Sequence, residues 1–341
     1  MRRWTGRMGL GSDQTMPFTS ATRIITGCAK SFRLRNRKTI MIEMNRREML
    51  QASLGTAAAA ALGTQLSAQE PSSQRWKLIT FTKFLQPLSY EEMADAVAEI
   101  GFDGIEAPIR IGGHIEPENV ADELPKFVAA LKKRGLTIDI LTSSINSVDS
   151  PNAEQTLKVA KELGIPRYRM SYYKYDLKKP VTRQLREAGA QLKDLVAMNQ
   201  EIGIQAVYQN HSGSRYMGAP IWDMMHLVRQ YDPQHVAMAF DIGHARVEGN
   251  TSWPIQWNLV QSHLGSVYIK DFTGNGGKPA WCSITEGELP DEFFTRLKAS
   301  DYAGPISLHV EYLHGLKGDE MVQKNLAAMK RDLAHLKKRL A

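Results

Sequence analysis

Polar side chains stand at or just beyond the ends of short apolar runs in this chain, and their chemical types suit work on a small molecule. They are Glu106, Gln209, Asn210, His211, Asp241, His244, Lys270, Asp271, His309 and Glu311. Carboxylates and imidazoles transfer protons or bind divalent cations, and a lysine ammonium stabilises developing negative charge. These types predict a metal site or a sugar site. A plain polar loop is the alternative for the run YQNH, which contains Gln209.

The elements that must position these residues are signalled by a local pattern that occurs four times. An amphipathic helix ends in Gly and a short β-rich run follows, as in AEIG-FDGIEA, KKRG-LTIDIL, KELG-IPRYRM and QEIG-IQAVYQ. Glycine suits the left-handed residue just past a helix end, and a continuous apolar run is typical of a strand buried on both faces. The pattern predicts consecutive helix–strand units.

Further strands are predicted by the runs WKLITF, HVAMAF, GSVYIK and PISLHVE, with helical patterns between them. Eight strands alternating with eight helices predict a single (β/α)8 TIM barrel over residues 69–341, without a second domain. A doubly wound open sheet is the alternative, although no G-x-G-x-x-G run follows the first strand.

The carboxyl ends of the strands form one mouth of such a barrel, and reactive groups lie there. Because side chains alternate along a strand, Tyr268 and Lys270 share a face, and so do His309 and Glu311. We therefore expect Asp241, Lys270 and Glu311 to converge on one bound molecule. His309 is expected lower on the wall that carries Glu311.

Several of these runs resemble a known family. FDGIEA, FDIGHA, VYIKDF and ISLHVEY, with EGELPDEFF before the last strand, resemble the xylose-isomerase-like barrel superfamily of sugar phosphate isomerases, sugar epimerases and endonuclease IV. The resemblance covers residues 76–335 and implies a divalent cation held by Glu, Asp, His and Glu from strands five to eight. Asp241 and Glu311 match this pattern. Gln209 stands in place of the first Glu, and Tyr268 stands in place of the His.

The two replacements weaken the metal site that the resemblance implies. An amide oxygen coordinates Mg²⁺ or Mn²⁺ but carries no charge, and a phenol is largely protonated near neutral pH. Either a weaker site for Mn, Mg or Zn or no bound metal is therefore expected. The candidate ligands are Gln209, Asp241 and Glu311, with His211 or His309.

The same replacements bear on the reaction. Family epimerases exchange a proton beside a carbonyl with two carboxylates, and Gln209 cannot accept a proton. Glu311 is the predicted catalytic base, Lys270 stabilises an enolate oxygen, and His244 holds a hydroxyl. The further substrate-binding candidates are Glu106, Asn210, His211 and His309. The predicted function is an isomerase- or epimerase-type enzyme that moves a proton beside a sugar carbonyl.

Other functions remain open. A lyase that catalyses β-elimination from keto-sugars or 3-keto-glycosides would use the same base, and a non-catalytic sugar-binding barrel would explain the replaced ligands. A nuclease of the endonuclease IV kind ranks behind both because it needs more His and Glu ligands and a basic surface.

Each candidate also has a structural alternative. These alternatives are a helix cap for Asp241 and His244, an ion pair with a neighbouring arginine such as Arg110 for Glu106, a loop-bridging pair of Lys270 with Asp271, and a core position for His309. The aromatic residues are either sugar-stacking platforms or core residues. They are Tyr172, Tyr173, Tyr175, Trp253, Trp257 and Trp281.

The charge of the chain is concentrated at its amino terminus. Of the formal net charge of +7, residues 1–68 contribute +8, from 11 Lys/Arg and 3 Asp/Glu, which leaves 32 basic and 33 acidic residues beyond Ala68. The predicted barrel is therefore nearly neutral. This distribution argues against a nucleic-acid partner and favours a small carbohydrate.

The amino-terminal segment has the layout of an export signal. Arg46 and Arg47 precede a small apolar stretch at 52–66, and Leu66-Ser67-Ala68 suits signal cleavage. Residues 44–68 resemble a twin-arginine (Tat) signal peptide, which implies the Tat export machinery and a periplasmic or otherwise exported protein. A surface helix with a chance arginine pair is the alternative. The stretch is too short and alanine-rich to favour a stable membrane span.

Residues 1–43 precede that signal and are interpreted as a misassigned translation start or a disordered extension, with Met41 or Met44 as the expected start. An organellar transit peptide is the alternative. Cys28 lies in this part, so cleavage would leave Cys282 without an intramolecular disulfide partner. The identity of the sugar and the oligomeric state remain open.

Overall fold

The computed structural model describes residues 75–274 and 279–341, and eight parallel strands among them close into a barrel. They are β1 (Leu78–Phe81), β2 (Gly104–Pro108), β3 (Thr137–Thr142), β4 (Arg167–Arg169), β5 (Gln205–Gln209), β6 (Val236–Asp241), β7 (Leu264–Ile269) and β10 (Ile306–Leu308). Neighbouring strands pair in the order β1-β10-β7-β6-β5-β4-β3-β2, and β1 closes the ring by pairing with both β10 and β2. The predicted (β/α)8 barrel is confirmed, and the open-sheet alternative is excluded.

Helices connect these strands on the outside of the barrel. They are α1 (Tyr90–Ile100), α2 (Val120–Lys132), α3 (Ala153–Glu162), α4 (Val181–Ile202), α5 (Trp222–Val228), α6 (Ile242–Gly249), α7 (Trp253–Val260), α8 (Asp291–Ala299) and α9 (Gly318–Leu340). Two features go beyond the predicted pattern. Helix α6 begins directly after β6, and an antiparallel hairpin of β8 (Asp271–Thr273) and β9 (Ala280–Cys282) follows β7.

The helix–Gly–strand junctions have the backbone geometry that the sequence predicts. Gly101, Gly135, Gly164 and Gly203 have φ values of +93°, +71°, +84° and +76°. These values lie in the left-handed region, which glycine adopts without steric cost. Each glycine therefore ends a helix and turns the chain into the next buried strand.

The barrel interior has an apolar lower layer and a polar upper layer. Ile79, Ile140, Val207, Ala237, Ala239 and Tyr268 form one buried cluster inside the ring of strands. Alternate residues further along the strands are charged or hydrogen-bonding, and they point to the carboxyl-terminal mouth. The tightly filled lower layer thus supports a polar floor above it.

A separate apolar layer joins the barrel to its helices. Phe293 of α8 lies within 5.3–6.4 Å, centroid to centroid, of Phe240, Trp253, Trp257 and Phe294. Trp253 and Trp257 are therefore core packing residues and not sugar-stacking platforms. They hold α7 and α8 against β6.

The predicted extension at 1–43 and the predicted signal segment at 44–68 lie outside the described residues. Within the described part of the chain, no helix is both long and apolar enough to cross a membrane.

Candidate active site at the carboxyl-terminal mouth

Three predicted site residues meet around one ammonium group. Lys270 Nζ lies 3.2 Å from Asp241 Oδ2 and 3.4 Å from Glu311 Oε2. Lys270 and Asp241 are buried, whereas the Glu311 side chain keeps 26% of its surface exposed. The structure thus brings together residues at the ends of β6, β7 and β10, and one of the two carboxylates, that of Glu311, reaches the open mouth.

Asp241 is held by its own helix and by the preceding strand. Its Oδ1 accepts a 3.0 Å hydrogen bond from the His244 backbone N–H, which makes it the amino-terminal cap of α6. Asn210 clamps the Asp241 backbone from the other side, because its side-chain oxygen accepts from Asp241 N at 2.7 Å and its Nδ2 donates to Asp241 O at 3.0 Å. Asn210 was a predicted substrate-binding residue, but its amide is used in holding Asp241.

Gln209 has its amide orientation fixed by three neighbours. Its Oε1 accepts from Arg169 NH1 at 2.9 Å and from the Tyr172 hydroxyl at 2.5 Å, and its Nε2 donates to Asp241 Oδ2 at 2.7 Å. A guanidinium can only donate, so the amide oxygen must face Arg169. The amino group therefore faces the Asp241 carboxylate.

Glu106 lies below the mouth, buried and with both oxygens paired. Oε1 accepts from Thr142 at 2.7 Å and lies 3.2 Å from Arg169 NH1. Oε2 accepts from the Ser307 hydroxyl at 2.8 Å and lies 2.9 Å from His309 Nε2. These contacts make it a support for the mouth rather than a group exposed to a ligand. Glu106 is paired with an arginine, as the structural alternative supposed, but the partner is Arg169, which lies inside the barrel, and not the suggested Arg110.

Burial and charge act in opposite directions on Glu106. Burial by itself would raise its pKa, but the positive charge of Arg169 and the contact with His309 lower the pKa to about 2. Glu106 is therefore an ionised carboxylate throughout the physiological pH range.

His309 connects this buried layer to the mouth. Its Nε2 contacts Glu106, and its Nδ1 lies 3.4 Å from Glu311 Oε2, at ion-pair distance without hydrogen-bond alignment. Burial opposes protonation of the ring, yet the two flanking carboxylates raise its pKa above the ordinary value. Phe81 and Tyr268 flank the ring at centroid distances of 5.0 and 4.4 Å. His309 thus combines a core position with a link between two carboxylates.

Glu311 is an ionised carboxylate beside the opening. Burial among its neighbours would raise its pKa, but Lys270 and then His309 hold that pKa well below its usual range. An ionised carboxylate next to an open mouth can accept a proton.

Imidazole and aromatic rings form a wall next to Lys270. His211 and His244 lie 3.9 Å apart between ring centroids, Tyr216 lies 4.4 Å from His211, and Trp281 lies 5.1 Å from His244. The Lys270 ammonium lies over the Trp281 ring at 4.9 Å. Such a wall offers both stacking surface and hydrogen-bonding nitrogens to a sugar.

Both imidazoles of this wall are neutral near pH 7. Burial and the nearby Lys270 charge lower the pKa of His211 to about 4, and the same causes lower the pKa of His244 well below its ordinary value. His244 Nδ1 contacts the Ser212 hydroxyl at 2.8 Å, whereas its buried Nε2 has no hydrogen-bond partner among the described residues. That nitrogen lies 3.8 Å from Asp241 Oδ2, beyond hydrogen-bond distance.

Asp271 points away from Lys270, so the loop-bridging pair suggested by the sequence is absent from the described residues. Its Oδ1 contacts Arg246 NH1 at 3.1 Å, and its Oδ2 accepts from Leu289 N at 2.7 Å. Asp271 therefore fastens the hairpin and the 285–290 loop to α6.

Sequence reasoning missed Arg169, Tyr172 as a partner of Gln209, and Ser212. Arg169 carried a usable signal: a charged residue within IPRYRM, a run otherwise read as a strand buried on both faces, must point into the barrel or be paired. The other two contacts arise from loops that return over the mouth, and no spacing in the sequence predicts them.

The residues present do not fit the divalent cation that the family resemblance implies. The described residues contain no group of three or more His, Cys, Asp and Glu side chains arranged to hold a metal ion. Gln209 turns its amino group toward Asp241, and the ammonium of Lys270 already lies between Asp241 and Glu311. One ring nitrogen of each candidate histidine ligand is also engaged, because His211 Nδ1 contacts Ser212 O at 2.9 Å and His309 Nε2 contacts Glu106.

Residues 94–339 match a protein family described as "Xylose isomerase-like TIM barrel". Among curated proteins, the chain is 24% identical over 150 residues to an uncharacterized protein of Methanocaldococcus jannaschii. That match covers 43% of this chain and 51% of the relative, so the chain spans about half the length of that relative.

Solved structures with this fold carry the names of sugar enzymes and of a dehydratase. The 3-keto-D-glucoside 4-epimerase from E. coli is 17% identical, with 77% of this chain and 99% of that chain covered and a TM-score of 0.59. A D-tagatose 3-epimerase-like protein is 20% identical, with 78% and 100% covered and a TM-score of 0.58. The probable 3-DHS dehydratase from Bacillus anthracis is 13% identical, with 76% and 98% covered and a TM-score of 0.59. At these identities the likeness shows the fold alone.

Proposed function

Because the chain belongs to the xylose isomerase-like TIM barrel family, we propose that its mouth binds a carbohydrate and moves a proton beside a sugar carbonyl, as an isomerase- or epimerase-type enzyme. The observation that carries this proposal is the Lys270 ammonium between two carboxylates, of which Glu311 reaches the opening. The epimerases among the structural neighbours support a sugar as the substrate.

Glu311 is the base in this proposal. Asp241 and Glu106 are fully buried, and protein donors already engage their oxygens. Glu311 is ionised, partly exposed, and next to the group that would stabilise the product of deprotonation. A carboxylate so placed takes the proton from the carbon next to the carbonyl.

Lys270 is the electrophile. When the carbon loses its proton, negative charge moves to the carbonyl oxygen and forms an enolate. An ammonium carries three hydrogens, and Asp241 and Glu311 lie along two directions, which leaves one for that oxygen. A fixed donor aimed at developing charge is worth about 10²–10³ in rate.

The neutral imidazoles supply the second proton transfer. His244 Nε2 is unpartnered among the described residues, and a neutral imidazole can donate or accept according to its tautomer. In an aldose–ketose isomerisation this group would move the proton between the two oxygens of the enediol. Inversion by two opposed carboxylates is disfavoured because position 209 holds an amide locked against Arg169.

β-Elimination is the second candidate, and His244 is the observation that favours it. The same Glu311 carboxylate would take the proton, and the neutral imidazole would protonate a departing hydroxyl or alkoxide on the next carbon. The two reactions differ in product, since elimination leaves a carbon–carbon double bond that absorbs ultraviolet light and isomerisation does not.

Solvent-deuterium exchange tests the proposal. The purified chain is incubated in D₂O with aldoses, ketoses and 3-keto-glycosides, and deuterium in the sugar is read by mass spectrometry and NMR. The wild type and Glu320→Gln, an exposed glutamate on α9, should exchange at the same rate. Glu311→Gln should exchange about 10²–10⁴-fold more slowly. Undiminished exchange by Glu311→Gln would refute the assignment of the base, and sugar binding without exchange would favour a binding barrel.

We also propose that the chain is exported by the Tat machinery and cleaved near Ala68, so that residues 69–341 act outside the cytoplasm. The paired arginines, the apolar stretch and the small-residue cleavage site support this placement. Sequencing the amino terminus of protein recovered from the periplasmic fraction should give a start close to Gln69. Recovery of the uncleaved chain from the cytosol alone would contradict it.

A further inference from the structure

The positive charge that lies between Asp241 and Glu311 belongs to a side chain of the protein, the ammonium of Lys270. Lys270 approaches Asp241 and Glu311, the two residues that match the family's metal-ligand pattern, at 3.2 and 3.4 Å. Two donors converge on Asp241 Oδ2, because the Gln209 amino group reaches the same oxygen at 2.7 Å. The oxygens that would face a metal ion are thus turned toward hydrogen-bond donors.

The path of the lysine stem is built into the neighbouring backbone. Gly243 follows Asp241 by two residues, and a Cβ at Gly243 would lie 2.8 Å from Lys270 O, 2.9 Å from Lys270 Cγ and 3.1 Å from Trp281. Any larger residue would push the stem aside. The close approach at Gly243 and the Trp281 ring therefore fix where the ammonium lies.

Charges inside the barrel balance without an additional cation. Glu106, Asp241 and Glu311 carry negative charge, Arg169 and Lys270 carry positive charge, and the His309 ring lies between two of the carboxylates. Arg110 lies close enough to Arg169 for the two charges to repel each other, and it adds a further positive charge beside the barrel mouth. A divalent cation placed between Asp241 and Glu311 would lie against Lys270 and be repelled by it.

We infer that Lys270 is a fixed replacement for the divalent cation, so that this barrel binds no metal between Asp241 and Glu311. The absence of metal there does not depend on the proposed function. The catalytic consequence, that the ammonium alone stabilises the enolate, rests on it.

Metal titration of the purified chain tests the first part. After dialysis against EDTA, the wild type is titrated with Mn²⁺, with the free ion followed by electron paramagnetic resonance and the melting temperature recorded. We expect no binding at the site and no stabilisation by millimolar Mn²⁺. Stoichiometric Mn²⁺ that disappears in Asp241→Asn would overturn the inference. Mn²⁺ that persists unchanged in Asp241→Asn lies elsewhere and leaves it standing.

A double variant tests whether the ammonium occupies the metal position. Gln209→Glu with Lys270→Ala places a third carboxylate beside Asp241 and Glu311 and removes the competing cation. We expect this variant to bind about one Mn²⁺ per chain and to melt several degrees higher with Mn²⁺ than with EDTA. Gln209→Glu alone is the matched control: it retains Lys270 and should not bind.

Failure of the double variant to bind Mn²⁺, with the fold intact by circular dichroism, would refute the positional claim. Binding by the single variant would refute it as well, because the lysine would then not compete. If the double variant does not fold, the wild-type titration still decides whether the site takes metal. None of these readouts uses sugar turnover, so failure of the proposed reaction would remain distinguishable from failure of this inference.

Discussion

Replacing Lys270 with Met should damage both stability and activity, and the size of the loss follows from the geometry. At an effective dielectric constant of about 20, Coulomb's law gives roughly 5 kcal/mol for each carboxylate contact of the ammonium before desolvation is counted. Methionine keeps most of the stem volume but leaves Asp241 and Glu311 facing each other without a cation. Breaking a buried pair from one side costs about 3–5 kcal/mol.

The assay is urea unfolding in EDTA, where no added metal can compensate for the missing charge, together with the deuterium exchange rate. Lys83→Met is the matched control because Lys83 Nζ lies 3.9 Å from Glu311 Oε1, but its side chain is 44% exposed. Exposed ion pairs are worth about 0–1 kcal/mol. We expect a stability loss of about 3–5 kcal/mol and a rate loss of about 10²–10³ for Lys270→Met, against less than about 1 kcal/mol for the control.

A combined variant separates lost charge from lost packing. Lys270→Met with Asp241→Asn removes one stranded carboxylate and should regain part of the stability that Lys270→Met loses. Equal stability losses for Lys270→Met and Lys83→Met, with unchanged exchange, would refute the reasoning that the buried ammonium balances the site.

Three further predictions follow from the same geometry. The pKa of Glu106 is lower in the folded chain than in the unfolded chain, so this carboxylate stabilises the fold above its unfolded pKa, and the stabilisation is lost as the pH falls toward 2. Glu106→Gln should therefore be about 3 kcal/mol less stable than the wild type at neutral pH. In urea titrations, this difference in unfolding free energy should become smaller below about pH 4. A stability difference that does not change with pH would contradict an ionised Glu106 paired with Arg169. Gly243→Ala should lower the free energy of unfolding by about 1–3 kcal/mol and slow deuterium exchange, because the added methyl displaces the stem of Lys270. Gly189→Ala is the control, since its added methyl contacts only the end of Leu227, and it should be at least as stable as the wild type. His211 and His244 should contribute no titration to the exchange rate between about pH 6 and about pH 8, because both imidazoles are already neutral there. A step in that range that is lost in His211→Phe would contradict that state, whereas a step that remains belongs to His309, whose pKa is raised.

The strands and most helices are predictable from the sequence because the strands lie in short, largely apolar runs, four of which follow a glycine that ends a helix. The convergence of Asp241, Lys270 and Glu311 follows from this alternation, since parallel strands in a closed barrel end at one rim. The local sequence pattern is therefore enough to predict the fold and the residues that lie at the mouth of the barrel.

The contacts that decide the chemistry are not local. Nothing around Gln209 reveals that its oxygen is taken by Arg169 from the neighbouring strand, or that Asn210 serves the backbone of Asp241. The β8–β9 hairpin places Trp281 beneath the lysine, yet its strands of three residues are too short to show periodicity. Side-chain partners that come from different strands depend on how the barrel closes, and the sequence of a single strand does not determine this.

The hydrogen bonds beneath Glu311 also matter to anyone who wants to alter the proposed activity. Thr142 and Ser307 donate to Glu106, Glu106 contacts His309, and His309 lies against Glu311, so hydroxyl groups at the bottom of the polar layer are linked by consecutive contacts to a carboxylate at the top. A mutant library restricted to residues visible from solvent would omit both hydroxyls. Including them would test whether changes below the mouth reach Glu311 while the proposed sugar-binding surface stays unchanged.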